Sequence, residues 1–270
     1  MIFRGAPAAV GDGGHAGACN RLLIKCRKSE TRMHKIELNA SVVETTMARR
    51  GKRHVFCDLV PKQTALLVVD LQRAYLDEGL NNSFCCHALD IVPNVNRIAN
   101  ALRRAGGTVA WIQNTATEET LTSWSTYNGR IMSAARRDKR FEGIRDGSPG
   151  HALWPGLDVQ GADLIIKKTR YSAFIRGSSD LEPQLRRRNI DTLVVTGTGT
   201  GTCCESTARD GMMLNFATIM ISDGNACASD EEHNAALTAF YRNFGDIMTT
   251  DEIIGYIEAN AATPATASQR

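Results

Sequence analysis

Hydrophobic positions along the chain change their spacing at regular intervals. Residues 64–69 form a continuous apolar run, the pattern of a central parallel strand covered on both faces, and Asp70 follows at once. Over 91–104 the spacing becomes helical, with Val92, Val95, Ile98, Ala99 and Leu102 on one stripe and Gly106-Gly107 closing the element. Residues 108–113 read as a second strand, 163–166 as a third that Lys167-Lys168 end, and 180–188 as a helix with a basic end. The alternation continues through strand 193–196, helix 203–216, strand 217–222, helix 230–243 with acids at its start, a short strand at 247–248 and a last helix from Thr249. Strands alternating with helices predict an α/β domain with a mostly parallel sheet over residues 61–258.

The flanks read differently. Residues 1–32 are rich in Gly and Ala, show neither period, and are expected to be disordered; Asp12, Glu30 and the lack of an amphipathic stripe argue against a mitochondrial presequence. Met33 reads as a true start. Residues 33–60 form an N-terminal arm of structural role, with Val42, Val43 and Met47 on one face of a short helix that ends before Arg49-Arg50-Gly51. Residues 259–270 read as a frayed tail. The least regular span of the body, 114–161, carries Trp124, Tyr127, Trp154 and the basic stretch Arg136-Arg137-Asp138-Lys139-Arg140.

Composition narrows the partners. No run of about 18 apolar residues occurs, so no membrane span is expected. Of the net charge of +3, much lies in residues 1–60, with eleven Lys or Arg against five Asp or Glu, and no aromatic-interleaved basic patch points to nucleic acid. The eight cysteines include the adjacent pairs Cys85-Cys86 and Cys203-Cys204 but no C-x-x-C, which suits a reduced, cytoplasmic protein better than a disulfide framework. The expected partners are a small-molecule substrate and further copies of the chain in a homo-oligomer.

Candidate chemistry centres on residues 194–210, a strand, a glycine and threonine loop, then a helix. A thiol at such a helix start meets free backbone N–H groups and the positive dipole end, which favour the nucleophilic thiolate. The loop offers backbone donors to an oxyanion. Two other readings stand beside this: a phosphate cradle, although Gly197, Gly199 and Gly201 do not make G-x-G-x-x-G, and two quiet core cysteines. Asp70 is a ligand-crevice residue or a helix cap, since carboxyl ends of parallel strands are where α/β sheets hold ligands. Lys168 falls on the same sheet edge. Asn114, Trp124 and Tyr127, on a long loop at a strand's carboxyl end, are pocket candidates. The basic stretch is a solvated helix face, with steering of anionic substrate as the other option.

Three separated segments carry a resemblance: residues 66–72, residues 168–174 (Lys-Thr-Arg-Tyr-Ser-Ala-Phe), and Val195-Thr196-Gly197 through Cys203 to Gly211. Together they resemble the isochorismatase-like cysteine hydrolases over residues 61–257, and the 33–61 arm is similar to that of the ureidoacrylate amidohydrolase branch. The resemblance implies a three-layer α/β/α fold with a six-stranded, mostly parallel sheet. It implies a catalytic set Asp70, Lys168 and Cys203, with an oxyanion hole from the backbone N–H groups of Gly199 and Cys203 and a cis peptide at Thr198-Gly199. Substrate contacts would come from Asn114, Trp124, Tyr127, Arg170 and Tyr171. Several relatives hold a metal through Asp and His after the second strand; residues 114–126 contain neither, so no metal and no cofactor is expected.

These residue types suit amide cleavage: a carboxylate takes the thiol proton, an ammonium steadies the thiolate, and a thioester forms as ammonia or an amine leaves. A low-pKa, readily alkylated Cys203 is expected on this reading. An isochorismatase-type vinyl-ether hydrolase, which needs no thiol, and a catalytically silent binding protein of the same fold are the alternatives.

Overall fold

The computed structural model describes residues 33–80 and 83–262; the expectations for 1–32 and for the last eight residues of the tail lie outside the described residues. Strands β1 (Thr64–Val69), β2 (Thr108–Asn114), β3 (Leu164–Lys168), β4 (Thr192–Thr198), β5 (Ala217–Ala226) and β6 (Asp246–Met248) make one sheet of order β3-β2-β1-β4-β5-β6. All five pairings are parallel. The helices are α1 (Ala40–Arg50), α2 (Arg73–Leu76), α3 (Val92–Arg104), α4 (Glu118–Ser123), α5 (Ala134–Ile144), α6 (Leu181–Arg187), α7 (Glu205–Met213), α8 (Asp230–Asn243) and α9 (Thr250–Ala262).

Strand parity builds the three layers. Leu66 and Val68 of β1 face Val95, Ile98 and Leu102 of α3 and Ile253 and Ile257 of α9. Leu67 and Val69 face the other way, onto Leu181 and Leu185 of α6, Ala208 of α7 and Leu237 and Phe240 of α8. Every residue of β1 is buried, which is why its sequence is apolar without alternation. Each such side chain stabilises the fold by about 1.5–3 kcal/mol.

From β1 the chain moves outward to β2 and β3, and from β4 outward to β5 and β6. The strand order therefore reverses between β1 and β4, the point at which open α/β sheets form a crevice at their carboxyl ends. Gly197 makes the approach of these two strands possible. It pairs with Val69, has φ +125°, and a Cβ there would lie 2.0 Å from the Val69 carbonyl oxygen.

Several local expectations change: α1, expected to end before Arg49-Arg50-Gly51, includes both arginines, and β5, expected over 217–222, runs to Ala226. The helix expected from Cys203 begins at Glu205, because residues Thr200–Cys204 form a wide π-helical turn in which the Gly199 carbonyl accepts from the Thr202 and Cys204 N–H groups. The span 114–161 contains α4, a π turn at Tyr127–Ile131, and α5. The last helix continues to Ala262, into the segment expected to fray, because the Asn260 amide donates to the Cys57 and Leu59 carbonyls at 2.9 and 2.8 Å.

The arm lies along α8. Helix α1 is capped by Asn39, whose side chain accepts from the Val42 N–H, and closed by Gly51 in the left-handed region. Glu37 N–H donates to the Asn234 side chain at 2.8 Å, and Asn234 returns a bond to the Lys35 carbonyl. Arg50 reaches the buried Asp246 at 3.2 Å. At the arm's start, the His34 ring stacks on His233 with centroids 4.2 Å apart and meets the tilted His87 ring at 4.0 Å.

Burial holds His34 below the usual histidine range and pushes His233 down to about 4, assisted by the mutual repulsion of the rings. The unfolded chain therefore binds more protons than the folded one between pH 6.5 and 4. Stability from His233 is complete above pH 6.5 and is lost as pH falls toward 4, by about 3 kcal/mol in all. Melting temperature followed from pH 7 to 4 should fall, with a smaller slope in His233→Asn; equal slopes would contradict this account.

Candidate active site

At the crevice between β1 and β4, three side chains meet. Asp70 follows β1 with φ +57°, an uncommon conformation for a non-glycine residue, and its N–H donates to the Ile112 carbonyl at 2.9 Å. The conformation turns the carboxylate toward the carboxyl ends of the neighbouring strands. Lys168, the last residue of β3, is fully buried, and its three protons are all placed: Asp70 Oδ2 at 2.8 Å, the Arg170 carbonyl at 3.1 Å and Cys203 Sγ at 3.3 Å. Lys167, next along the strand, faces outward to Asp146. Burial alone would lower the Lys168 pKa, but the carboxylate and the thiol beside it raise it, so the ammonium is the resting form.

Cys203 and Cys204 part company here. Cys203 Sγ opens onto a cavity of about 780 Å³, whereas Cys204 is buried beneath the turn with its thiol toward the Thr196 carbonyl. Burial, then the Asp70 charge, pushes the Cys203 thiol up to about 12 against the pull of Lys168. The expectation of a resting thiolate is thereby corrected. Cys203 sits inside the π turn rather than at a bare helix start, and the neutral thiol rests beside an intact Asp70/Lys168 ion pair. Asp70 Oδ1 is buried and meets no N–H or O–H donor among the described residues. A buried carboxylate oxygen left open in this way is ready to accept a proton or a ligand N–H.

Thr198, Gly199, Gly201, Thr202 and Cys203 line the cavity. No cis peptide bond is present among the described residues, so Thr198-Gly199 is trans, contrary to expectation. The open π turn already carries the chain from β4 into α7, and a non-proline cis bond would cost about 3–4 kcal/mol.

Of the pocket candidates, Asn114, Tyr127 and Tyr171 line the cavity. Trp124 does not; it stacks on Tyr127 at 4.1 Å and meets Tyr171 edge-on at 5.2 Å, forming the backing of the aromatic wall. Arg170 is also outside, bound to the Thr169 carbonyl and the Ser123 hydroxyl and lying over the Trp124 ring. Its contribution to the site is the carbonyl that holds Lys168. Asn114 is itself committed, its amide donating to the Tyr75 hydroxyl and its oxygen accepting from Arg140 at 3.2 Å. The missed residue is Arg140. From α5 it enters the cavity beneath Tyr127, and no carboxylate pairs with it among the described residues. The signal was present in the basic stretch, where one helical turn places Arg136 and Arg140 on the same face.

Gln72 holds the two strand ends in register, its amide donating to the Asn114 and His151 carbonyls and its oxygen accepting from Asn114 N–H. Among the described residues, His34 belongs to two clusters of His, Cys and Asp; in the one with Cys227 and His233 the two rings lie 13° apart and aim their lone pairs in separate planes rather than at one ion. Among the described residues no helix is long and apolar enough to cross a membrane.

Comparison with known proteins agrees with this architecture. A structure of a cysteine hydrolase from Pseudomonas syringae pv. phaseolicola superposes with TM-score 0.64 at 26% identity, covering 75% of this chain and 96% of that one. An uncharacterized isochorismatase family protein of Bacillus subtilis is 29% identical, over 73% of this chain and 95% of its own length. A ureidoacrylate amidohydrolase of Caulobacter vibrioides is 32% identical, over 72% of this chain and 91% of its own. The isochorismatase domain model matches residues 64–252, and the chain belongs to the isochorismatase family.

Proposed function

We propose that the protein is a cysteine amidohydrolase that cleaves a C–N bond of a small ureido or amide compound. The observation that carries this is the convergence of Asp70, Lys168 and Cys203 at one wall of the cavity, with an open carboxylate oxygen beside a neutral thiol. Cys203 Sγ attacks the carbonyl carbon as its proton passes to Asp70, and the Lys168 ammonium steadies the sulfur charge as it develops. The tetrahedral oxyanion turns to the backbone N–H groups of Gly199 and Cys203; one such donor is worth about 3 kcal/mol of barrier. Collapse breaks the C–N bond, the leaving nitrogen takes the proton from Asp70, and ammonia or an amine departs. Water then attacks the S-acyl carbon and gives a proton to Asp70; the C–S bond breaks, and the leaving sulfur takes that proton back to restore the thiol and the carboxylate. A raised thiol pKa is compatible with this order of events, because the proton moves within the step rather than before it.

The substrate reading is a ureido acid. Asp70 Oδ1 suits a urea N–H, and the Arg140 guanidinium, unmatched by any acid among the described residues, suits a carboxylate. The ureidoacrylate amidohydrolase relative supports this choice. Neutral biuret keeps the urea and lacks the carboxylate. An ammonia-release screen over ureidoacrylate, carbamoyl amino acids, biuret, nicotinamide and maleamate tests it. Ureido acids should lead the series. Arg140→Met should raise their KM by about 10- to 100-fold, the worth of one charged hydrogen bond, and leave biuret within about two-fold. Turnover of nicotinamide alone, or cleavage of isochorismate with no amide accepted, would overturn the proposal.

A further inference from the structure

Among the buried residues of the arm, His34, Thr46 and Leu59, it is His34 that connects to the turn carrying Cys203. His34 is 2% exposed, although its neighbours Lys35 and Glu37 are largely in solvent. Its Nε2 accepts from the Cys227 N–H at 3.1 Å, which puts the ring proton on Nδ1, and Nδ1 donates to Asp230 at 2.7 Å. The stacked His233 donates from Nε2 to the Ser222 carbonyl at 3.0 Å, because a carbonyl only accepts; its Nδ1 therefore accepts from the Thr200 hydroxyl at 2.8 Å. Every ring nitrogen of the pair is used, so neither ring can turn without breaking two hydrogen bonds. Thr200 is fully buried and opens the Thr200–Cys204 turn, its carbonyl accepting from the Glu205 N–H. Cys227, whose N–H donates to His34, lines the cavity itself.

We propose that His34 is a positioning residue for Cys203, acting from the arm through the His233 ring and the Thr200 hydroxyl; this rests on Cys203 being the nucleophile. The arm fixes the plane of His233, His233 fixes the rotamer of Thr200, and Thr200 fixes the start of the turn that aims the thiol at the cavity. A side chain that merely packed would act on stability alone. One that acts through Thr200 shares its effect with Thr200.

The test is a double-mutant cycle in the full-length chain with His34→Ala, Thr200→Val and both. Two rates are read: turnover of the best substrate from the ammonia screen, and alkylation of Cys203 by iodoacetamide, located by peptide mass. Each single substitution should lower kcat by about 10-fold with KM within two-fold, and raise alkylation by about five-fold as the turn loosens. The double variant should match the larger single effect in both rates. Multiplying effects, or unchanged rates in a folded His34→Ala, would overturn the proposal. If His34→Ala does not fold, His34→Gln takes its place in the cycle and is read by the same criteria. Alkylation needs no substrate, so coupling seen there without ammonia release from any compound would sink the amidohydrolase reading while the positioning role stood.

Discussion

Replacement of Cys203 by alanine is expected to remove turnover, by about 10⁴-fold or more, while Cys204→Ala retains most of it. Loss of a nucleophile that acts as one unit with its base removes nearly the whole of covalent catalysis. The two thiols differ in direction rather than chemistry. Cys203 reaches the cavity and contacts Lys168, whereas Cys204 is fully enclosed below the turn with its thiol against the Thr196 carbonyl. Cys204→Ala deletes one buried atom and should cost about 1 kcal/mol of stability. Steady-state kinetics on both purified variants, with melting curves to show that each is folded, decides the matter. Activity surviving in Cys203→Ala and lost in Cys204→Ala would reverse the assignment.

Asp70→Asn is expected to damage both activity and stability. Asn tolerates the left-handed conformation at φ +57° better than other residues, so the backbone turn survives and the effect reports the charge. The Lys168 ammonium then keeps its Arg170 carbonyl and its thiol but loses its carboxylate partner while fully buried. Breaking one half of a buried pair costs about 3–5 kcal/mol, and removing a general base slows the reaction by about 10²–10⁴-fold. Part of the stability loss should be recovered at high pH, where Lys168 deprotonates in the variant. A variant with unchanged melting temperature and kcat would show that the pair neither holds the crevice nor handles the proton.

The sheet could be read from the chain because buried parallel strands carry their signature in consecutive residues: the β1 run is apolar throughout because both faces are covered. Asp70, Lys168 and Cys203 were visible for a related reason, as each ends or follows a strand and strand ends converge. What could not be read was direction. Arg170 and Arg140 are both basic residues near the crevice, yet the first turns onto Trp124 and the second into the cavity, and that depends on how α4 and α5 fold within an irregular span. The state of the thiol was hidden as well, since burial outweighs the charges that spacing suggested. His34 gave no local signal, because its hydrogen-bond partners lie nearly two hundred residues away.

Covalent catalysis requires that Cys203 Sγ bond to the carbonyl carbon of the substrate. Acid-quenching the enzyme during turnover of ureidoacrylate or biuret and mapping the peptides by mass would trap that species. An acyl adduct is expected on the peptide containing Cys203, localised to that residue by fragmentation and absent from Cys203→Ala. Rapid turnover of either compound by Cys203→Ala, with no adduct on the native enzyme, would contradict covalent catalysis at Cys203.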